Sequence, residues 1–323
     1  MLEEKAIKQR IVAVNERIAL IKNTGSKSVK RLMKDIHLSS GKRVRALLVL
    51  LFSELNGTRI NTYSLNVAAA MEMLHSASLI HDDIIDNADM RRGKPALNKK
   101  LGGHLSVLAG DLLLSYVTKI LLERGDMAIF RIFADTVRDI CEGEIEEVYN
   151  KNNSALSMAK YIEIIDKKTA SLIEASAVSG AIVGGISKKQ LRYVSEFGKN
   201  IGIAFQIKDD LLDVTGNEAT LGKPIGNDIQ EGKMTMPLLL ALKNTNENEA
   251  KIIREMFAGN AKGKYTSKII KFIIENRGAE DADRAARGYA EVAKKALEKI
   301  TVKSEQKKAL LLCLAEYVVD RIY

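Results

Sequence analysis

The chain has 323 residues, 46% of them apolar and 28% charged, and carries a net charge of +9. That length buries a substantial core, and the balance is that of a soluble globular protein. The positive charge does not point to nucleic acid, because there is no Cys/His finger, no aromatic-studded basic stripe and no long Lys/Arg block.

Ala, Leu, Ile, Lys and Glu predominate, all except Ile strong helix formers, prolines occur only at Pro95, Pro224 and Pro237, and tryptophan is absent. This profile predicts an all-α protein. In chain order, the first residues (MLEEKAIKQR) begin a charged amphipathic helix with no signal-peptide apolar core. A basic cluster, Gly41-Lys42-Arg43-Val44-Arg45, then opens a helix, where free backbone N–H groups and the dipole favour an anion. Beyond a break at Asn56-Gly57, residues 65–86 (LNVAAAMEMLHSASLIHDDIID) read as a helix that is apolar nearly all round. Such a helix belongs in the middle of a bundle.

Breaks at Arg91 to Pro95 and at Asn150 to Ser154 bracket the next helical stretches, and Cys141 and Cys313 in helical contexts read as buried reduced thiols. The longest uncharged stretch, Ala175 to Ser187, is too short to span a bilayer, so no transmembrane segment and a cytoplasmic location are expected. Gly180, Gly184 and Gly185 in that stretch permit a close helix approach, within the chain or to a second copy. Residues 191–213, ending FQIKDDLLD, form the second largely apolar helix. Residues 215–233 (TGNEATLGKPIGNDIQEGK) then run without a clear period. Their alternating glycines and lysines suit an ordered anion-gripping loop. No linker or internal repeat divides the chain, so a single domain over residues 1–323 is expected.

The two apolar helices end in the same pattern, Asp82-Asp83-x-x-Asp86 and Asp209-Asp210-x-x-Asp213. Helical positions i and i+4 project from one face, one turn apart, so each motif aims carboxylates at one point. Facing one another, two such motifs concentrate carboxylates that require cations, and oxygen-only ligands favour Mg²⁺ shared with substrate phosphates. The bases fit phosphate binding. Lys42 and Arg45 flank a helix start, Arg91 and Arg92 follow the first motif, Lys168-Thr169 offers another contact, and Lys223 and Lys233 lie in the glycine-rich loop. Together they indicate two diphosphates, one held through metal and one by cations alone. Reading His81-Asp82 as the HD pair of a metal-dependent phosphohydrolase lacks convincing His and Asp partners elsewhere.

The segments GKRVR, LHSASLIHDDIIDNADMRRGKP, LAGDLLL, KTA, FQIKDDLLD and GKPIGNDIQEGKMTMP resemble the trans-isoprenyl (polyprenyl) diphosphate synthase family, including its long-chain octaprenyl and heptaprenyl members. The likeness runs from about Ser40 to Leu240, departing slightly at Ser40 and Ala46. It implies an isoprenoid synthase type I fold, a single bundle of ten or more helices around a deep central cavity. It implies Mg²⁺, three ions per site, with Asp82, Asp86 and Asp209 as ligands and Asp83, Asp210 and Asp213 supporting them, directly or through water. Arg91, Lys168, Lys223 and Lys233 would contact the allylic diphosphate, with Thr169 and Gln206 near its departing end. Lys42, Arg45, His75 and Arg92 would hold isopentenyl diphosphate. The family's usual homodimer is expected, with a small partner subunit as the alternative.

On this reading a growing product runs down the first apolar helix past Ser78 and Ala77, both small, where short-chain members place a bulky aromatic. From Asp82 back to Tyr63 the helix supplies about 28 Å of wall, so the expected product has about six to ten isoprene units. Phe133 is the candidate floor, and a short-chain product is the alternative. A class I terpene cyclase would need a second motif of mixed Asn/Ser/Glu type, which Asp209-Asp210-x-x-Asp213 is not.

Overall fold

The computed structural model describes residues 2–36, 42–91, 93–216, 225–259 and 263–321. Among them the regular structure is helical except for a short antiparallel ribbon of β1 (Met90–Arg91) and β2 (Lys94–Pro95). The chain divides into two compact units.

The first unit gathers Met1–Thr136, Leu172–Gly198 and Leu297–Leu311. It begins with α1 (Leu2–Lys22), α2 (Lys27–Asp35), α3 (Val44–Glu54) and α4 (Thr62–Ile85). After the ribbon come α5 (Leu97–Leu101), α6 (Gly103–Leu122) and the start of α7 (Met127–Tyr149). Helix α4 is the axis, with α1, α3, α5 and α6 packed on it. Its start is fixed by a reciprocal cap, in which Ser64 N donates to Asn61 Oδ1 at 3.0 Å and Asn61 N donates to Ser64 Oγ at 2.9 Å. From Val67 to Leu74 every residue is buried, as the lack of a polar face predicts.

At its other end Asp86 N donates to Asp82 O at 2.9 Å, and Asn87 adopts a left-handed φ of 51° that ends the helix. Gly93, with φ of 73°, makes the turn of the ribbon and returns the chain towards α4.

Also in this unit, α9 (Ser171–Val183) lies flush on α3. A Cβ at Gly180 would stand 2.4 Å from Val49 O, and one at Gly184 would stand 2.7 Å from Ser53 O. A contact within the chain therefore accounts for both glycines. Among the described residues α6 alone is long and apolar enough to cross a bilayer, and it packs along α4.

The second unit gathers Val137–Ser171, Lys199–Ala296 and Leu312–Tyr323. It holds α8 (Met158–Ile165), a π-helical turn (Asp166–Ala170) and the C-terminal part of α10 (Lys188–Thr215). There follow α11 (Asn227–Gln230), α12 (Met236–Asn244), α13 (Glu247–Ala258), α14 (Thr266–Glu275), α15 (Gly278–Glu298) and the end of α16 (Glu305–Asp320). Helix α12 packs on α8, α13 and α14. The buried ammonium of Lys208 on α10 pairs with Asp283 on α15 at 2.9 Å.

One expectation needs correction. Cys141 and Cys313 are exposed free thiols, not buried ones. On α7 the inward positions include Phe133, Thr136, Ile140, Gly143 and Glu144, a spacing of three or four that leaves Cys141 outside. On α16 Leu310, Leu311, Ala315, Val318 and Val319 do the same to Cys313.

Candidate active site

The first carboxylate cluster sits at the C-terminal end of α4, in the first unit. Asp83 is 4% exposed. Arg91, brought back by the ribbon, forms an ion pair with its carboxylate, and Asn98 Nδ2 donates to its backbone O at 2.9 Å. Asp82 and Asp86 are half-buried. His81 turns to α6, with Nε2 3.3 Å from Val107 O and 3.6 Å from Asp111 Oδ1. A Cβ at Gly110 would meet that imidazole at 2.2 Å, so this glycine makes room for it. The imidazole is thus taken up by α6, which removes it from an HD-type metal pair.

The basic cluster lies at the start of α3 in the same unit. Lys42 is exposed and Arg45 half-buried, while Arg43 between them points inward. Arg43 occupies the N-cap position with φ of 52°, and its guanidinium reaches Glu72 Oε2 on α4 at 3.2 Å and Asn15 Oδ1 at 3.1 Å. The other oxygen of Glu72 accepts from Ala46 N at 3.0 Å, satisfying one of the free N–H groups of α3. His75 follows Glu72 by three residues and is half-buried. Arg43 and Glu72 were not legible as a pair, since nothing in the sequence says that two distant charges meet.

The second carboxylate cluster is near the end of α10, in the second unit. Asp209 keeps 42% of its side chain exposed and pairs with Arg321 at 2.8 Å. Asp210 is 3% exposed, and its two oxygens accept from Tyr161 Oη at 2.6 Å and from Gln206 Nε2 at 2.7 Å. Thr169 Oγ1 donates to Gln206 Oε1 at 2.7 Å, which fixes the orientation of that carboxamide. Burial pushes the Asp210 carboxyl well above the usual carboxylate range, and the Asp228 charge adds to this, while the Tyr161 and Gln206 hydrogen bonds oppose it. Asp213 is fully buried and accepts from Asp228 N at 3.1 Å.

Beside this cluster lies a cavity of about 120 Å³ whose walls include Tyr161, Lys168, Thr169, Gln206, Lys233 and Glu147. Lys168 and Thr169 occupy the π-helical turn, a device often found at functional positions. A Cβ at Gly143 would stand 2.6 Å from Lys168 N, so α7 approaches that turn as closely as backbone allows. Lys168 Nζ is 2.5 Å from Glu144 and 2.6 Å from Glu147, and Lys233 Nζ is 2.7 Å from Glu231 and 3.4 Å from Glu147. The glutamates, Tyr161 and Arg321 escaped the sequence reading. Glu144 and Glu147 lay unremarked in the acidic run EGEIEE, and Tyr161 and Arg321 gave no signal at all.

In the second unit, then, Lys168, Thr169, Gln206, Asp210 and Lys233 are brought together. In the first, Asp82, Asp83, Asp86 and Arg91 share one helix end, and Lys42 and Arg45 flank another. Arg92 and Lys223 lie outside the described residues. Phe133 is buried against Phe130, with ring centroids 6.0 Å apart.

Both aspartate motifs suit a hard divalent cation by donor chemistry, because they offer only oxygen. Burial divides both motifs, alike at the first two aspartates and differently at the third. Asp83, Asp210 and Asp213 are buried and held by protein donors, whereas Asp82, Asp86 and Asp209 retain access. Among the described residues no three acidic or imidazole groups are preassembled as a metal cage.

The polyprenyl synthetase family pattern matches residues 26–275. The chain belongs to the polyprenyl synthetase family. It is 34% identical over 310 residues to the octaprenyl diphosphate synthase of Haemophilus influenzae, covering 96% of this chain and 93% of that one. It is 37% identical over 288 residues to a short chain isoprenyl diphosphate synthase of Methanothermobacter thermautotrophicus, covering 88% of this chain and 87% of that one. Its fold matches the crystal structure of a polyprenyl synthase from Caulobacter crescentus complexed with calcium and isoprenyl diphosphate. The TM-score is 0.90 at 33% identity, over 99% of this chain and 97% of that one. The expected isoprenoid synthase type I fold and prenyltransferase class are therefore correct.

Proposed function

We propose that this polyprenyl synthetase family member is a single catalytic domain that joins an allylic diphosphate head to tail with isopentenyl diphosphate to make a long-chain all-trans product. The observation that carries the reading is the division of the two aspartate motifs. In each, one aspartate (Asp83, Asp210) is buried and tied to protein donors, whereas the one before it (Asp82, Asp209) keeps solvent access, Asp209 while paired with Arg321. Asp82, Asp86 and Asp209 would hold Mg²⁺, three ions per site, with Asp83, Asp210 and Asp213 orienting them. Bound there, the cations would neutralise charge developing on the departing diphosphate.

Lys168 and Lys233, with Arg91 and Lys223, would grip the allylic diphosphate as its C–O bond breaks. Thr169 and Gln206 would stand at the departing end. Lys42, Arg45, His75 and Arg92 would place isopentenyl diphosphate so that its double bond attacks the allylic cation, after which a proton leaves to the released diphosphate. The apolar flank of α4 keeps out water that would quench the cation.

Product length rests on α4. Ala77 is buried and small, Ser78 is small, and Leu74 and Met71 come next towards the N-terminus. This open stretch favours about six to ten isoprene units, with Phe133 on α7 as the floor. The named relatives include both octaprenyl and short-chain synthases, so the product itself is the test. The purified protein, given Mg²⁺, farnesyl diphosphate and labelled isopentenyl diphosphate, should yield products ending in that range by mass spectrometry. A stop at four units would refute the length, and no product would refute activity of the chain by itself.

A cytoplasmic homodimer completes the proposal. Leu105, Val107 and Leu108 stand exposed along α6, an apolar face suited to a second copy. Sedimentation of the purified protein tests this, and a monomer would overturn it.

A further inference from the structure

Arg43 combines three unusual features. It is a non-glycine residue at a left-handed φ of 52°, it is only 6% exposed, and it stands at the N-cap of α3 without a side-chain cap of its own. A residue with a Cβ held at positive φ costs energy that its surroundings must offset. Here the surroundings include Asn15 of α1, whose Oδ1 accepts from Arg43 Nε at 3.1 Å, and above all the carboxylate of Glu72 on α4, itself 5% exposed. One of its oxygens takes the Arg43 guanidinium at 3.2 Å and the other takes Ala46 N at 3.0 Å. A single carboxylate thus fixes the start of α3 at two points.

The two points matter because of what alternates with them. Arg43 and Ala46 are buried, whereas Lys42 is exposed and Arg45 half-buried. Turning Arg43 inward turns its neighbour Lys42 outward. Glu72 also precedes His75 by three residues on one helix, so it shares a face with that imidazole. The carboxylate is therefore the link between the basic start of α3 and the histidine of α4.

We infer that Glu72, acting through Arg43, is a positioning residue for the isopentenyl diphosphate site. This rests on the assignment of Lys42, Arg45 and His75 to that site. The carboxylate touches no substrate. It sets the distance between the two cations at the start of α3 and His75 on α4, and it holds the left-handed turn that presents Lys42.

The test is steady-state kinetics of the full chain, varying each diphosphate separately. Glu72→Gln keeps an acceptor for Ala46 N and removes the charge partner of Arg43. Arg43→Gly removes the guanidinium while placing at that φ the residue best suited to it, so it should fold even if Glu72→Gln does not. Both should raise KM for isopentenyl diphosphate about tenfold while KM for the allylic diphosphate stays within about twofold. Glu72→Ala should do more, since it loses both contacts. A parallel rise in both KM values, or no rise in either, would overturn the inference, because a merely structural role does not distinguish the substrates. Lys42→Ala is the control. If it leaves KM for isopentenyl diphosphate unchanged, the site assignment fails and the inference with it. If it raises that KM while Glu72→Gln and Arg43→Gly do not, only the role of Glu72 fails.

Discussion

Glu147 Oε2 lies 2.6 Å from Lys168 Nζ, and the same oxygen is 3.4 Å from Lys233 Nζ. One carboxylate on α7 therefore stands between two ammonium groups contributed by the π-helical turn and by the segment before α12. With Glu144 and Glu231 also in contact, the two lysines face three carboxylates. A diphosphate arriving there must compete with Glu147 for both cations.

The expected consequence is that Glu147→Gln tightens anion binding. Removing one negative charge beside two part-buried ammonium groups should lower KM for the allylic diphosphate about three- to tenfold at low ionic strength, and less in high salt. Isothermal titration with inorganic diphosphate provides a second reading. Weaker binding would show that Glu147 holds the lysines in a productive position.

The aspartates should separate by burial. Asp82→Ala and Asp209→Ala should each lower turnover by about two orders of magnitude or more while the circular dichroism spectrum stays native. Asp83→Ala should also destabilise the fold, by about 1–3 kcal/mol in urea unfolding, because it strips the partner from Arg91 and leaves the end of α4 unsupported. Chelation with EDTA should abolish activity, and added Mg²⁺ should restore it. Near-normal turnover in Asp82→Ala or Asp209→Ala would remove the metal assignment.

Product length should respond to bulk at α4. Ala77→Tyr or Ser78→Phe should shorten the products to about three or four isoprene units by blocking the channel one turn from the metals. Phe133→Ala should lengthen them if that ring is the floor. An unchanged product distribution in the Ala77 and Ser78 variants would place the channel elsewhere.

Asp283 gives a pH dependence that is independent of catalysis. Partial burial works to raise its carboxyl, but hydrogen bonds from Lys208 and Arg287 outweigh it and hold the group below the usual carboxylate range. A depressed folded-state value contributes stability above the unfolded value near 4, and that contribution is lost as pH falls through the folded one. Asp283 keeps 31% of its side chain exposed, so screening limits the contribution to about 1 kcal/mol or less. Asp283→Asn should thus be less stable than the parent at pH 7, and the gap in urea midpoint should narrow as pH falls below the unfolded value near 4. A gap that does not change with pH would mean the loss is one of packing.

Much of this protein was legible as pattern. The helical period and the dearth of proline announced an all-α fold. The repeated Asp-Asp-x-x-Asp motif closing two apolar helices announced paired carboxylates, because i and i+4 share a face whatever the surroundings. Residue type misled at Cys141 and Cys313, which it suggested were buried, whereas the phase of α7 and α16 turns both outward. What tertiary structure decided was which charge meets which. Arg91 folds back on Asp83, Arg43 crosses to Glu72, Tyr161 reaches Asp210 and Arg321 reaches Asp209. Those pairings join residues from different elements, and local propensity carries no information about them. Only packing sets the burial that makes one aspartate of a motif a structural anchor and leaves its neighbour within reach of solvent.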